Sequence, residues 1–127
     1  MAQQHAAVTL TRLYTGADGI SHFECVNLAF SPIPGVPNTV EQSEPLSTAK
    51  TYMVRAAPGF FLDWHNADVP RYVITISGRA EVELLSGQKF LGQLGEVLLA
   101  QDLTGKGHRF RVLGDTPWVA LFVDLTK

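Results

Sequence analysis

The run Arg71 to Ser77, RYVITIS, sets β-branched valine, isoleucine and threonine beside a tyrosine and stops dead at Gly78. Such side chains crowd the preceding turn of a helix and sit well on a pleated sheet, so the run is a strand. The rest of the chain follows the same grammar. Alternating or apolar runs at Val8–Thr15, Ile20–Phe30, Thr48–Ala57, Phe60–His65, Arg79–Leu85, Lys89–Leu94, Glu96–Ala100, His108–Val112 and Trp118–Leu125 are short and separated by turns. Gly16-Ala17-Asp18-Gly19, Ser86-Gly87 and Gly114-Asp115-Thr116-Pro117 supply the residues that turns require. No window keeps a helical period. Eight or more short, regularly punctuated strands are the signature of an all-β sandwich or barrel.

The first two strands are expected to form a hairpin. Residues 1–6, with His5, read as a flexible tail, and residues 31–47 carry four prolines and Gly35, which bars them from a sheet interior. That segment is expected to run as a surface loop over one end of the barrel, as a lid does. The 127 residues are otherwise one domain, 1–127, with ordinary globular composition. A net charge of −2 leaves no basic stripe, so nucleic acid is excluded as a partner. No apolar run approaches the ~20 residues that a helical membrane span needs. Cys25 is the single cysteine, which excludes an intramolecular disulfide and a thiolate zinc site; its alternating run predicts a place in the core. The N-terminus lacks a basic start and an apolar stretch, so the expected location is cytoplasmic.

Alternation also selects candidate site residues. It places Phe61, Asp63 and His65 on one face of their strand, and Arg71, Val73, Thr75 and Ser77 on one face of the next. Polar groups on an otherwise apolar face suggest a barrel mouth. His108, Phe110 and Val112 share another face. His22 and Tyr52 lie on runs that border the same interior. Trp64 and Tyr72 point away by parity, between sheets or into a subunit contact.

Two spaced motifs carry a resemblance. Gly59, His65, Arg71 and Gly78 stand at the spacings of glycine, histidine, glutamate and glycine in one motif, with Ala67 where its second histidine belongs. Gly95 and His108 match a second motif with a two-residue insertion; Gln101 replaces its proline and Val112 its asparagine. Over about residues 48–125 the chain resembles the cupin family, and within it the small single-domain bacterial cupins. The resemblance implies a cupin-type double-stranded β-helix, or jelly-roll barrel. It also implies a metal site of three histidines and a carboxylate, of which this chain keeps His65 and His108. Ala67 offers no ligand, and Arg71 brings a permanent positive charge where the glutamate stands.

Three functions follow as expectations. In the first, the barrel binds a small anionic organic molecule and acts as a metal-independent isomerase, epimerase or cyclase. His65 and His108 are then the catalytic acid and base, with Arg71, Asp63, Tyr52 and His22 binding substrate and no cofactor. In the second, a divalent metal (iron, manganese, nickel or zinc) sits on His65 and His108 in a rebuilt site, for a lyase or dioxygenase. In the third, the barrel only binds a small molecule. For Arg71 two readings stay open: a structural ion pair with Asp63 or another carboxylate, or a fork that grips a ligand anion. Apolar Trp64, Tyr72, Ile74 and Ile76 predict a homodimer.

Overall fold

The computed structural model describes residues 7–37 and 39–126. The expected tail at 1–6, with His5, lies outside the described residues. Among those residues the structure is all strand with no helix, and hence no helix long and apolar enough to cross a membrane. β1 (Thr9–Thr15) and β2 (Ser21–Asn27) form the expected hairpin, paired in full register from Thr9↔Asn27 to Thr15↔Ser21. β3 (Ser31–Pro32) and β4 (Glu41–Gln42) are a two-residue pair within the proline-rich segment. Eight strands follow: β5 (Thr48–Ala56), β6 (Phe61–His65), β7 (Arg71–Ser77), β8 (Arg79–Glu83), β9 (Lys89–Gly92), β10 (Val97–Gln101), β11 (His108–Leu113) and β12 (Trp118–Leu125).

These eight make two facing four-stranded layers, β10-β7-β12-β5 and β6-β11-β8-β9. Apart from the β8–β9 hairpin, each connection from β5 onward carries the chain from one sheet to the other. That order is the jelly roll, and the fold is the expected cupin-like double-stranded β-helix. β1 extends the larger sheet by pairing parallel to β10, and β2 closes that edge.

The core fills the space between the layers. Leu13, Val82, Leu84, Leu98 and Ala100 form one buried cluster; Ala80, Val112, Trp118 and Ala120 form a second. Cys25, expected inside, is exposed, because β2 is an edge strand that reaches past the cover of the second sheet. Ser43 to Leu46 border a shallow depression on the outer side of the larger sheet with Tyr72, Ile74 and Val97. None of the described residues 31–47 lines the internal cavity.

One local irregularity sets the site. β11 pairs His108 with His65 and Phe110 with Leu62, so three steps on β6 face two on β11. This is a β-bulge at Asp63-Trp64, closed by a hydrogen bond from the Trp64 amide to Asp63 Oδ1 at 2.9 Å. The bulge shifts parity by one residue. Leu62 and His65 therefore line the cavity together, and Asp63 turns outward.

Candidate functional site

His65 ends β6 and His108 opens β11, directly across from it. Their ring centroids are 4.3 Å apart, and both border the internal cavity. His65 Nδ1 lies 2.8 Å from the Asp63 carbonyl oxygen. His108 Nδ1 lies 2.6 Å from Asp102 Oδ2. A carbonyl and a carboxylate only accept, so each Nδ1 carries the hydrogen and donates it. Nε2 is the nitrogen that each ring has left for the cavity.

Asp102 is fully buried, and Ser21 Oγ, itself buried, donates to the same Oδ2 at 2.8 Å. Its loop is strapped down on both sides. Ala67 N donates to the Asp102 carbonyl, Asn66 Nδ2 to the carbonyls of Thr104 and Gly105, and Lys106 N to that of Gly19. Gly107 has a φ of +76°, and a Cβ there would collide with the His65 carbonyl oxygen. The loop between β10 and β11 thus orients both histidines. Asp102 was not among the expected residues; its one signal is a carboxylate in the loop leading into His108.

Burial in the cavity wall pushes the His65 imidazole below its ordinary range, and the neighbouring His108 adds to this. The hydrogen bond to the Asp63 carbonyl and the Asp102 charge offset part of it. His65 is therefore neutral at neutral pH, with its Nε2 lone pair available.

Arg71 borders the same cavity but is already engaged. Its Nε donates to Asp124 Oδ1 at 2.8 Å, and its Nη2 lies 2.9 Å from Asp68 Oδ1. Tyr52 OH donates to Asp124 Oδ2 at 3.2 Å, and the guanidinium lies over the Phe122 ring. Burial opposes the charge on Arg71, but the Asp124 hydrogen bond and the surrounding carboxylates outweigh it and raise its pKa. Burial likewise pushes Asp68 up, and the Arg71 charge more than reverses it. Of the two open readings the geometry shows the structural ion pair, with Asp124 and Asp68 as the other carboxylates. The other open reading, a grip on a ligand anion, would have to compete with these two carboxylates.

Three expected placements are corrected. Asp63 lies outside the barrel, 3.4 Å from Arg109 Nε, because of the bulge. His22 pairs with Asp18 at 2.9 Å on the outer face of the edge hairpin, where β2 is out of reach of the cavity. Tyr52 is not part of the cavity lining, since it sits on β5 beyond Val54 and serves the Arg71–Asp124 pair. Of the six expected residues, the cavity brings together His65, His108 and Arg71.

The cavity measures about 500 Å³. Phe60, Phe110, Trp118 and Phe122 form a continuous aromatic wall, with successive centroids 6.2, 4.9 and 6.2 Å apart. Trp118 Nε1 donates to Thr75 Oγ1 at 3.1 Å, so the indole offers only its apolar faces. The donor set does not fit the divalent metal that the resemblance implies. Ala67 stands buried in the wall where a third ligand belongs, and among the described residues no three histidine, cysteine, aspartate or glutamate side chains converge. Zinc and non-haem iron sites use three protein ligands.

No family model and no curated protein sequence matches the chain. Among solved structures, an ethanolamine utilization protein Q from Salmonella typhimurium aligns over 95% of this chain and 98% of its own, with 13% identity and a TM-score of 0.47. Protein NMB1881 from Neisseria meningitidis aligns over 68% and 88%, with 11% identity and a TM-score of 0.45. At such distances the strand order itself, rather than these likenesses, carries the fold.

Proposed function

We propose that this cupin-like barrel binds a small organic molecule in its cavity and moves a proton on it through His65 and His108, without a metal. The observation that carries this is the pair of cross-strand imidazoles in contact, each with Nδ1 tied off and Nε2 left for the cavity. In such a step one Nε2 lone pair takes a proton from a carbon or hydroxyl of the substrate. The other ring, protonated beforehand, returns a proton at a second position. No atom is gained or lost, so isomerisation, epimerisation and ring closure are the reaction classes that the pair serves. The buried Asp102 carboxylate is the counter-charge for an imidazolium at His108, as the aspartate of a catalytic triad is for its histidine. His65, held neutral by burial, suits the base.

An enolisable ketone tests this. In D₂O at neutral pH, the protein should speed exchange of the 2-tetralone C1 protons by about 10²-fold or more, the range of general acid–base catalysis. His65→Gln and His108→Gln should each remove most of the acceleration. Exchange at the buffer rate by a protein that demonstrably binds the ketone would sink the catalytic reading and leave a binding module.

A further inference from the structure

The walls of the cavity are more informative about its occupant than the motif positions are. We infer that the barrel takes a neutral, flat, aromatic or conjugated molecule with a single hydroxyl or enol, whose O–H is presented to the Nε2 of His65. This rests on the proposed role of the histidine pair and adds the class of ligand.

Shape supplies the first argument. Four aromatic side chains, Phe60, Phe110, Trp118 and Phe122, follow one another along the wall at contact distance. Aromatic faces gain most from another π surface, stacked offset or edge-on. With its N–H held by Thr75, Trp118 adds no polar demand of its own.

Hydrogen bonding supplies the second. With its Nδ1 donating to the Asp63 carbonyl and burial keeping the ring neutral, His65 presents its Nε2 as an acceptor to the interior. A desolvated acceptor is best met by a donor, and a carboxylate has none to give.

Charge supplies the third. Arg71 is matched by Asp124 and over-matched by Asp68, and the Asp102 carboxylate lies behind His108. Arg55, the other cation at the border, is exposed and sits on the outward alternation of β5 between Val54 and Ala56. The sum disfavours an anion in the cavity.

Three probes of one shape separate these arguments: 2-naphthol, 2-methoxynaphthalene and 2-naphthoate. They are titrated into the wild-type protein by calorimetry, with the imidazole nitrogens followed by ¹⁵N NMR. 2-Naphthol should bind about tenfold more tightly than the methyl ether, the upper range for one neutral hydrogen bond, and should move the His65 Nε2 resonance. 2-Naphthoate should bind more weakly than either. If 2-naphthoate binds tightest and still perturbs the His65 Nε2 resonance, the neutral class is overturned while the histidine site stands. Equal binding of naphthol and its ether overturns the acceptor argument. If no probe binds, the proposed function falls with the inference.

Discussion

Removing the Asp102 carboxylate takes away at once the acceptor for His108 Nδ1–H and for Ser21 Oγ–H, all three residues being buried. Asp102→Ala should therefore cost about 1–3 kcal/mol for each orphaned donor, read from urea denaturation. Asp102→Asn keeps an acceptor for both, removes the charge and puts an amide NH2 where the buried Oδ1 has no partner. Its stability should fall less, while ketone exchange falls as far as in the alanine variant. Arg71 tests a different dependence. Arg71→Leu leaves the buried Asp124 carboxylate without its cation, and about 3 kcal/mol should be lost, the low end for breaking a buried pair. Adding Asp124→Asn should restore much of that loss. His65 sets a pH dependence. Its folded pKa lies below the ordinary 6.5, so the unfolded chain binds its proton first as pH falls. Stability from this residue is intact above 6.5 and declines below it, until the folded value is passed. Urea midpoints between neutral and mildly acid pH should drop less steeply in His65→Gln.

At the scale of the element, alternation is a local property, which is why the strands were legible. Arg71–Ser77 and Trp118–Leu125 fall where the residue pattern puts them, and β1 with β2 pairs as the turn at Gly16–Gly19 implies. The bulge at Asp63-Trp64 was not legible, because an inserted residue leaves composition unchanged and only the partner strand exposes it. That single slip exchanged Asp63 for Leu62 in the cavity wall. Asp102 was hidden for a related reason: what makes it matter is Ser21, far away in the chain, and the burial that the loop's straps impose. The partner of Arg71 was equally out of sight, since Asp124 lies 53 residues on. The strap gives the prediction for this scale. Gly107→Ala forces a Cβ against the His65 carbonyl at a φ of +76°, where a side chain is already strained. It should displace both histidines, so ketone exchange should fall further than the thermal midpoint alone would suggest.

For the whole molecule, the two outer faces differ in kind. On the smaller sheet Arg111 lies 3.5 Å from Glu81 and 3.6 Å from Glu83, with Lys89 also on Glu81, and the Arg109 guanidinium covers Trp64. Trp64 therefore does not share a surface with Tyr72, Ile74 and Ile76, as the sequence reading had it. Those three face outward from the larger sheet, where Leu121 and Val123 stand beside Ile74 and Tyr72, and Met53 beside Leu121. The expected homodimer should form through this apolar face. Sedimentation velocity at micromolar concentration should give a dimer, and Met53→Lys with Ile74→Lys should give a monomer. A wild-type monomer would refute the expectation.

The pairing of His65 with His108 also governs when the site comes into being. Between them the chain runs through β7, β8, β9 and β10, crossing from sheet to sheet, before β11 returns alongside β6. No shorter piece of the barrel holds both rings, and Asp102 reaches Ser21 only once β10 has settled against β1. Contacts closed over such lengths form late, because loop entropy is lost before they are made. On refolding from urea, the recovery of ketone exchange should thus coincide with the slowest burial of Trp118, and no early intermediate should be active. Such a recovery would make activity a report that the last strands have docked.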